Sequence, residues 1–488
     1  MRARAEAPDA ARDAAAIDRS RHAGLELFGV MWALASVWHL LGNTPTAPGW
    51  SQALVALAAG AVLWRPGWVA PLACLAGADL LTAWAEAPVI GNHWVLASFV
   101  NVAILGAVLT TVVRGRGTSG GEVATRLFPV ARLCLLGFYS FAAFAKLNSA
   151  FFDRSVSCAV VYFQESTSSI GVSGLQLGGT AWLQWVVIIG TLAVELSVPV
   201  LLLLRRTRHL GVVVGLVFHG LLAVDHHHEF FDFSAVLAAL FVLFLPASAG
   251  TWVAERVGSA RARLALADRR LPSLVHAGLT ALPMLAGLAV AFDVVGIRGA
   301  LDLGWWPWQA WAVLSVLAAL RFLDQRPPTP ARGALRPHHL AFLILPVLVV
   351  ANGLTPYLEL KTGFGWNMYA NLRTVDGDSN HLLVRRTLPL TDIQADLVRI
   401  IHTNDPGLAS YEAHHYALTW FELRIYLADH PTVGLTYERH GAVVSVAHAR
   451  DRPELVQPVP TWRQKVQLFR AVDLESPERC VPTFGPAR

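Results

Sequence analysis

Lysine is almost missing from this 488-residue chain: only Lys146, Lys361 and Lys465 occur, against 36 arginines. Charge of either sign is sparse as well. Charged residues make up 15% of the chain, hydrophobic ones 54%, and the mean hydropathy is +0.46. A soluble domain carries about 25% charged residues, so this composition excludes an ordinary soluble fold and describes a chain that mostly faces lipid. Four cysteines without CxxC or Cys/His spacing exclude a zinc-finger or thioredoxin-like site. The net charge of +5 does not indicate nucleic acid, because the arginines sit in short connections between apolar runs and act as topology signals. No internal repeat of about 20–50 residues is visible. No cleavable signal peptide is expected either: a mixed-charge stretch over 1–22 precedes an apolar run, Leu25 to Gly42, that is longer than a signal core.

What the chain does have is apolar runs at roughly 25–42, 52–65, 67–86, 92–113, 126–148, 181–204, 209–225, 230–247, 272–296, 304–323 and 339–355. Read as membrane spans, they make eleven, the second and third being open to a second reading as one shallow hairpin around Arg65-Pro66-Gly67. Arginine placement orients them. The even-numbered connections carry sixteen arginines, among them Arg205, Arg206 and Arg208, whereas the odd-numbered ones carry Arg154 and Arg298. By the positive-inside rule the amino terminus is cytoplasmic and the chain beyond the last span lies outside. The expected fold is thus mainly α, a polytopic bundle of about eleven spans with a small β-rich extracytoplasmic domain at the carboxyl terminus. Its expected parts are a disordered cytoplasmic tail over 1–22, a transmembrane core over 23–250, further spans over 251–355 and the outer domain over 356–488. In that domain, Tyr416–Tyr426 and Val433–Val446 alternate like half-buried strands. Thr391–His402 has early acids and apolar residues at helical spacing, which suggests a helix.

Lys146 is the chemical oddity. Where only a positive charge is wanted this sequence writes arginine, which stays protonated; a lysine amine kept from water can give up its proton and act as a base. An ionisable group at membrane depth is a functional candidate by default, the alternative being a side chain that snorkels to the interface. By topology Lys146 lies near the outer end of the fifth span, and His39, His93 and His219 fall in the same leaflet, with Asp79 and Glu195 deeper. Each histidine alone would read as a packing residue; their shared depth suggests a pocket. Tyr139, Ala142 and Ala143 share the Lys146 face of the helix, and the small residues there leave room for a neighbouring helix or a flat ligand. Trp94, beside His93, is either an interfacial anchor or a stacking surface for such a ring.

Phe141-Ala-Ala-Phe-Ala-Lys146-Leu-Asn148, then Glu195-Leu-Ser-Val-Pro199, Arg208-His-Leu-Gly211 and Phe218-His219 together resemble the horizontally transferred transmembrane domain. That domain is the membrane core of vitamin K-dependent γ-glutamyl carboxylase and its bacterial relatives. The resemblance covers about residues 20–250, and the stretches Asn352–Tyr357, Asn367–Leu372 and Ser379–Leu382 are similar to the segment that follows the core in bacterial members. It implies that Lys146 is the base that deprotonates a reduced quinone of the vitamin K hydroquinone or menaquinol type, with His93 and His219 catalytic beside it. Asn92, His39, Tyr139, Trp94 and Glu195 would complete the substrate site. Oxygen would convert the quinol anion to a strong base that removes a glutamate γ-proton, carbon dioxide would add to the carbanion, and the quinone would leave as an epoxide. The partners so implied are the lipid bilayer, the quinone and a glutamate-containing peptide or protein, with no nucleic acid. The chain departs from the carboxylase in its short outer domain, which has no peptide-binding signature, so a quinone- or lipid-binding or transport protein on the same core is the alternative.

No metal is expected. Asp225-His226-His227-His228-Glu229 invites one, but consecutive side chains diverge, at most two would reach one ion, and no spacing supplies a third ligand. Cys158 and Cys480 both fall outside by the topology, where an oxidising medium permits a bridge that sequence cannot establish.

Overall fold

At membrane depth every backbone amide must be satisfied within its own segment, which makes long apolar runs helical. The computed structural model describes residues 6–42, 48–114, 119–172, 180–226, 228, 230–294, 297–325 and 334–480. Twelve helices come first: α1 (Glu6–Gly42), α2 (Gly49–Trp64), α3 (Val69–Glu86), α4 (Gly91–Val113), α5 (Gly120–Ala145), α6 (Cys158–Ser169), α7 (Ala181–Leu203), α8 (Arg208–Leu222), α9 (Phe230–Phe241), α10 (Ser248–Ala267), α11 (Leu271–Ala291) and α12 (Ile297–Leu320). A further apolar helix, Ile344–Leu354, packs on α5 and α4.

All eleven apolar runs fall on helices. By length and composition α1, α3, α4, α5, α7 and α11 can each cross a membrane, and α9 with α10 would make a seventh span if the bent pair were one. The helices α2, α8 and Leu340–Leu354 are apolar but shorter than a full crossing. Leu279 and Leu282 of α11 are 70% and 72% exposed, and Val186 and Val200 of α7 are exposed too. Such outward apolar faces need lipid to cover them, so the chain is an integral membrane protein. Its packed centre is α1, whose Phe28, Trp32 and Ala33 are fully enclosed by α2, α5 and α9.

Three differences from the sequence-based expectation have clear causes. The first helix starts at Glu6, so residues 6–22, expected as a disordered tail, are helical; a run from Ala10 to Ile17 is rich in alanine, the strongest helix former. The break at Leu245-Pro246-Ala247 turns α10 by 110° from α9, and this helix, expected as a loop, carries Arg256, Arg261 and Arg263 on exposed positions. Arg126, counted among connecting arginines, is inside α5 and fully buried, where it pairs with Glu122 at 2.6 Å.

Beyond Leu354 a strap crosses the end of α5 before the small sheets begin. β1 (Thr374–Val375) pairs with β2 (Asp378–Ser379), and a four-stranded antiparallel sheet has the order β4-β3-β5-β6, with β3 Leu397–Thr403, β4 Ala417–Thr419, β5 Leu435–Arg439 and β6 Ala442–Val446. The β5–β6 hairpin falls where alternation predicts strands. Its two-residue turn has both His440 and Gly441 at positive φ, 51° and 75°, the requirement of a tight turn that follows strand twist. The expected helix over Thr391–His402 is instead a turn followed by β3, because Leu397-Val-Arg-Ile-Ile401 is dominated by apolar β-formers. Conversely Tyr416–Tyr426 is strand only to Thr419 and then a helix over Trp420–Asp429, started by the Thr419 hydroxyl accepting from the Glu422 amide at 3.3 Å. A disulfide between Cys158 and Cys480 ties the start of α6 to the end of the described chain.

Candidate functional site

Lys146 follows α5 directly, and its side chain leans back over the last turn, as helical side chains do. Its Nζ lies 2.9 Å from Oε2 of Glu195 on α7, with the carbonyls of Ala142 and Met368 each at 3.4 Å. Both partners are buried, their side chains 6% and 12% exposed. The helix stops here because Asn148 takes over its free end: Nδ2 donates to the carbonyls of Ala145 and Ala370, and Oδ1 accepts from the Phe151 amide at 2.9 Å. The strap does the covering. It places Met368 on the ammonium through a run of non-glycine residues in the left-handed region, Trp366, Tyr369 and Asn371, with φ of 59°, 49° and 54°. Such backbone is held only where its surroundings over-determine it. Asn371 accordingly accepts from the Cys158 amide and donates to the carbonyls of Val156 and Glu478, all at 2.9 Å. His381 donates from Nε2 to the Phe144 carbonyl at 2.9 Å, while its Nδ1 accepts from the amides of Leu383 and Val384.

The pair faces a cavity of about 330 Å³ between α5, α6, α7 and α8. The volume is at the small end of ligand pockets, about 300–1,000 Å³. Its walls are aromatic and aliphatic, among them Phe138, Phe230 and Phe233. Its charged and imidazole groups are Lys146, Glu195 and His219, with Tyr139 beside them, while Tyr162, Tyr369, Ser166, Thr167 and Thr191 also stand on the wall. The Tyr139 hydroxyl and Nε2 of His219 are 3.3 Å apart. Nδ1 of His219 is buried and has no hydrogen-bond partner among the described residues. Ile170 and Leu221, 55% and 65% exposed, edge the cavity, so it reaches the apolar outer surface of the bundle.

His39 and His93 do not line this cavity. They meet on Asp232, in the first turn of α9: Nδ1 of His39 and Nε2 of His93 are each 2.9 Å from Oδ2, and Nε1 of Trp94 donates to Oδ1 at 3.0 Å. The other nitrogen of His39 is 3.2 Å from Glu86. One carboxylate thus joins α1, α4 and α9. The Trp94 ring lies 4.0 Å from that of His39, tilted by 35°, so its face is taken by a neighbour. Asn92 accepts from the Trp366 amide at 3.0 Å and anchors the strap to α4. Asp79 accepts from Ser36 and Asn101 at 3.1 and 3.4 Å. Phe233 links the two groups of polar residues, its ring 5.4 Å from that of His93 and 5.0 Å from that of His219.

Of the expected site residues, Lys146, Glu195, Tyr139 and His219 are therefore brought together around the cavity, while His39, His93 and Trp94 form a packed network on Asp232 and Asn92 holds the strap. Counting residues from span ends put Glu195 deeper than Lys146; the backward lean of the lysine side chain along α5 closes that gap. Sequence reasoning missed Asp232, although an acid within Phe230-Phe-Asp-Phe233 satisfies the same rule that singled out Lys146. It also missed Arg132, on α5, whose guanidinium donates to the carbonyls of Leu243 and Ala334.

No family model, curated protein or solved structure matches this chain.

Proposed function

We propose that this is a membrane enzyme that handles a reduced quinone, with Lys146 as the base that removes the quinol proton. The observation that carries this reading is the Lys146–Glu195 pair in a mostly apolar cavity open at the bundle surface. A cavity of that size with such a pair in it suits a ring bearing hydroxyls, and an edge at Ile170 and Leu221 suits a ligand that arrives with an apolar tail from lipid. When bound, the quinol would supply the oxygen-dependent chemistry of carboxylation. The chain's own residues would do four things. Glu195 takes the ammonium proton, since a buried ion pair and its neutral form compete closely where water is absent. Lys146, then neutral, accepts the hydroxyl proton. Nδ1 of His219 offers a hydrogen bond to the ring, with Tyr139 fixing the imidazole through Nε2. The strap over Met368 keeps water out.

The amino terminus would be cytoplasmic and the sheet-bearing domain extracytoplasmic, in a bacterial-type inner membrane. The arginine asymmetry, fifteen to two once the buried Arg126 is left out, supports that orientation, and so does a disulfide at Cys158–Cys480, since such bonds persist outside the reducing cytosol. The acceptor would be a glutamate-containing peptide. A second reading, a quinone- or lipid-binding or transport protein, is favoured by one observation: the lysine already has a carboxylate partner, as a purely structural charge would.

The test is to incubate the purified protein with reduced vitamin K or menaquinol, oxygen and labelled carbon dioxide, with and without a glutamate peptide. Epoxide formation supports the enzyme reading, and label in the peptide supports carboxylation. Quinol that binds and is never oxidised supports the second reading.

A further inference from the structure

We propose a divalent-cation site formed by Glu165, Asp225 and His228 beside the outer end of the cavity. Sequence reasoning set this region aside because Asp225-His226-His227-His228-Glu229 could give at most two ligands; His227 and Glu229 lie outside the described residues. Folding supplies the third ligand from another element. Glu165, on α6, comes up to the loop that follows α8, and Nδ1 of His228 lies 3.3 Å from its Oε2 and 3.0 Å from Oδ2 of Asp225. One ligand atom from each residue lies within 4.8 Å of the others. For metal bonds of about 2.0–2.2 Å, neighbouring ligands of a tetrahedral ion are roughly 3–3.5 Å apart, so the three need little movement to share one ion.

The surroundings point the same way. Asp225 is fully buried, whereas the Glu165 side chain is 35% exposed, which leaves a path from outside to a site with a fixed inner ligand. Tyr162 is an independent sign. It is 5% exposed, it lines the cavity, and its hydroxyl is buried with no hydrogen-bond partner among the described residues. Its ring meets the His228 ring edge-on at 4.9 Å. A cation here would give that oxygen a partner and would lock α6 to the loop along one wall of the cavity. One imidazole with two carboxylates suits a first-row transition ion or zinc better than magnesium or calcium, which prefer an all-oxygen shell.

The site does not depend on quinone chemistry and is tested without it. The full-length protein in detergent is stripped with EDTA, dialysed and titrated with zinc chloride alone by calorimetry, with metal content measured after gel filtration. The expected result is one zinc per chain, with affinity falling at least tenfold in His228→Ala and in Asp225→Asn, and a rise in melting temperature on adding zinc that both variants lose. If Asp225→Asn does not fold, Glu165→Gln at the more exposed corner gives the same comparison. Absence of zinc binding in the wild type, or unchanged affinity in His228→Ala and Glu165→Gln, would overturn the proposal.

Discussion

Lys146 and Glu195 hold each other at 2.9 Å inside the helix bundle, one at the end of α5 and the other well along α7. A pair this enclosed is costly to split, because either partner left alone is an uncompensated buried charge. Glu195→Leu or Lys146→Met should each destabilise the protein by about 3–5 kcal/mol, while the double variant, with both charges gone, should recover most of that loss. Melting in one detergent reads the three together. A double variant whose loss equals the sum of the two single losses would mean that the pair contributes nothing as a pair.

Asp232 should behave as a structural centre. Asp232→Ala removes the shared acceptor of His39, His93 and Trp94, leaving buried donors without partners at about 1–3 kcal/mol each. His93→Ala, at the less buried edge, should cost less than His39→Ala. The measurement is thermal melting, and a ranking with His93 as the costlier of the two would contradict the network described.

Glu478 sets a pH dependence in the carboxyl-terminal domain. Burial outweighs the attraction of Arg470 and Arg373 and pushes its carboxyl up to about 7. A folded-state carboxyl raised above its unfolded value binds a proton that the unfolded chain has already released. Its contribution is therefore present in acid and is lost as pH rises from about 4.5 through about 7, on the order of 2–3 kcal/mol. The melting temperature should fall across that window in the wild type and fall less in Glu478→Gln. Parallel curves would remove Glu478 as the cause.

The Cys158–Cys480 bridge holds the end of the described chain against α6, next to the Asn371 contacts of the strap. Cys480→Ser, or reductant, should lower stability by about 2–5 kcal/mol and speed proteolysis after Asp473. Unchanged melting and cleavage would show that Asn371 alone secures the strap.

Much of this architecture was legible in the sequence because membrane helices announce themselves by local composition. Every apolar run became a helix, and the carboxyl-terminal switch to short alternating segments marked the sheets. The errors came where one pattern fits two structures. Trp420-Phe-Glu-Leu-Arg-Ile alternates like a strand, and only Thr419 and Glu422 at capping distance show it to be a helix. The site was legible as far as single residues that break a rule: Lys146 in an arginine-rich chain, Glu195 and His219 in apolar helices. Which of them touch was not, because neighbours across a bundle depend on helix rotation and side-chain direction, neither of which leaves a local signal. For the same reason His39 and His93, expected beside Lys146, belong to Asp232 instead, and Glu165 gave no sign of reaching His228.

Quinol oxidation by Lys146→Ala and Lys146→Arg, compared with wild type in protein that melts as a folded species, bears most directly on the proposed role of Lys146. If the lysine is the base, wild type oxidises the quinol and forms epoxide, Ala abolishes both, and Arg abolishes both while keeping the fold, since a guanidinium stays protonated. Full activity in Arg, activity in both variants, or no quinol oxidation by wild type would contradict it.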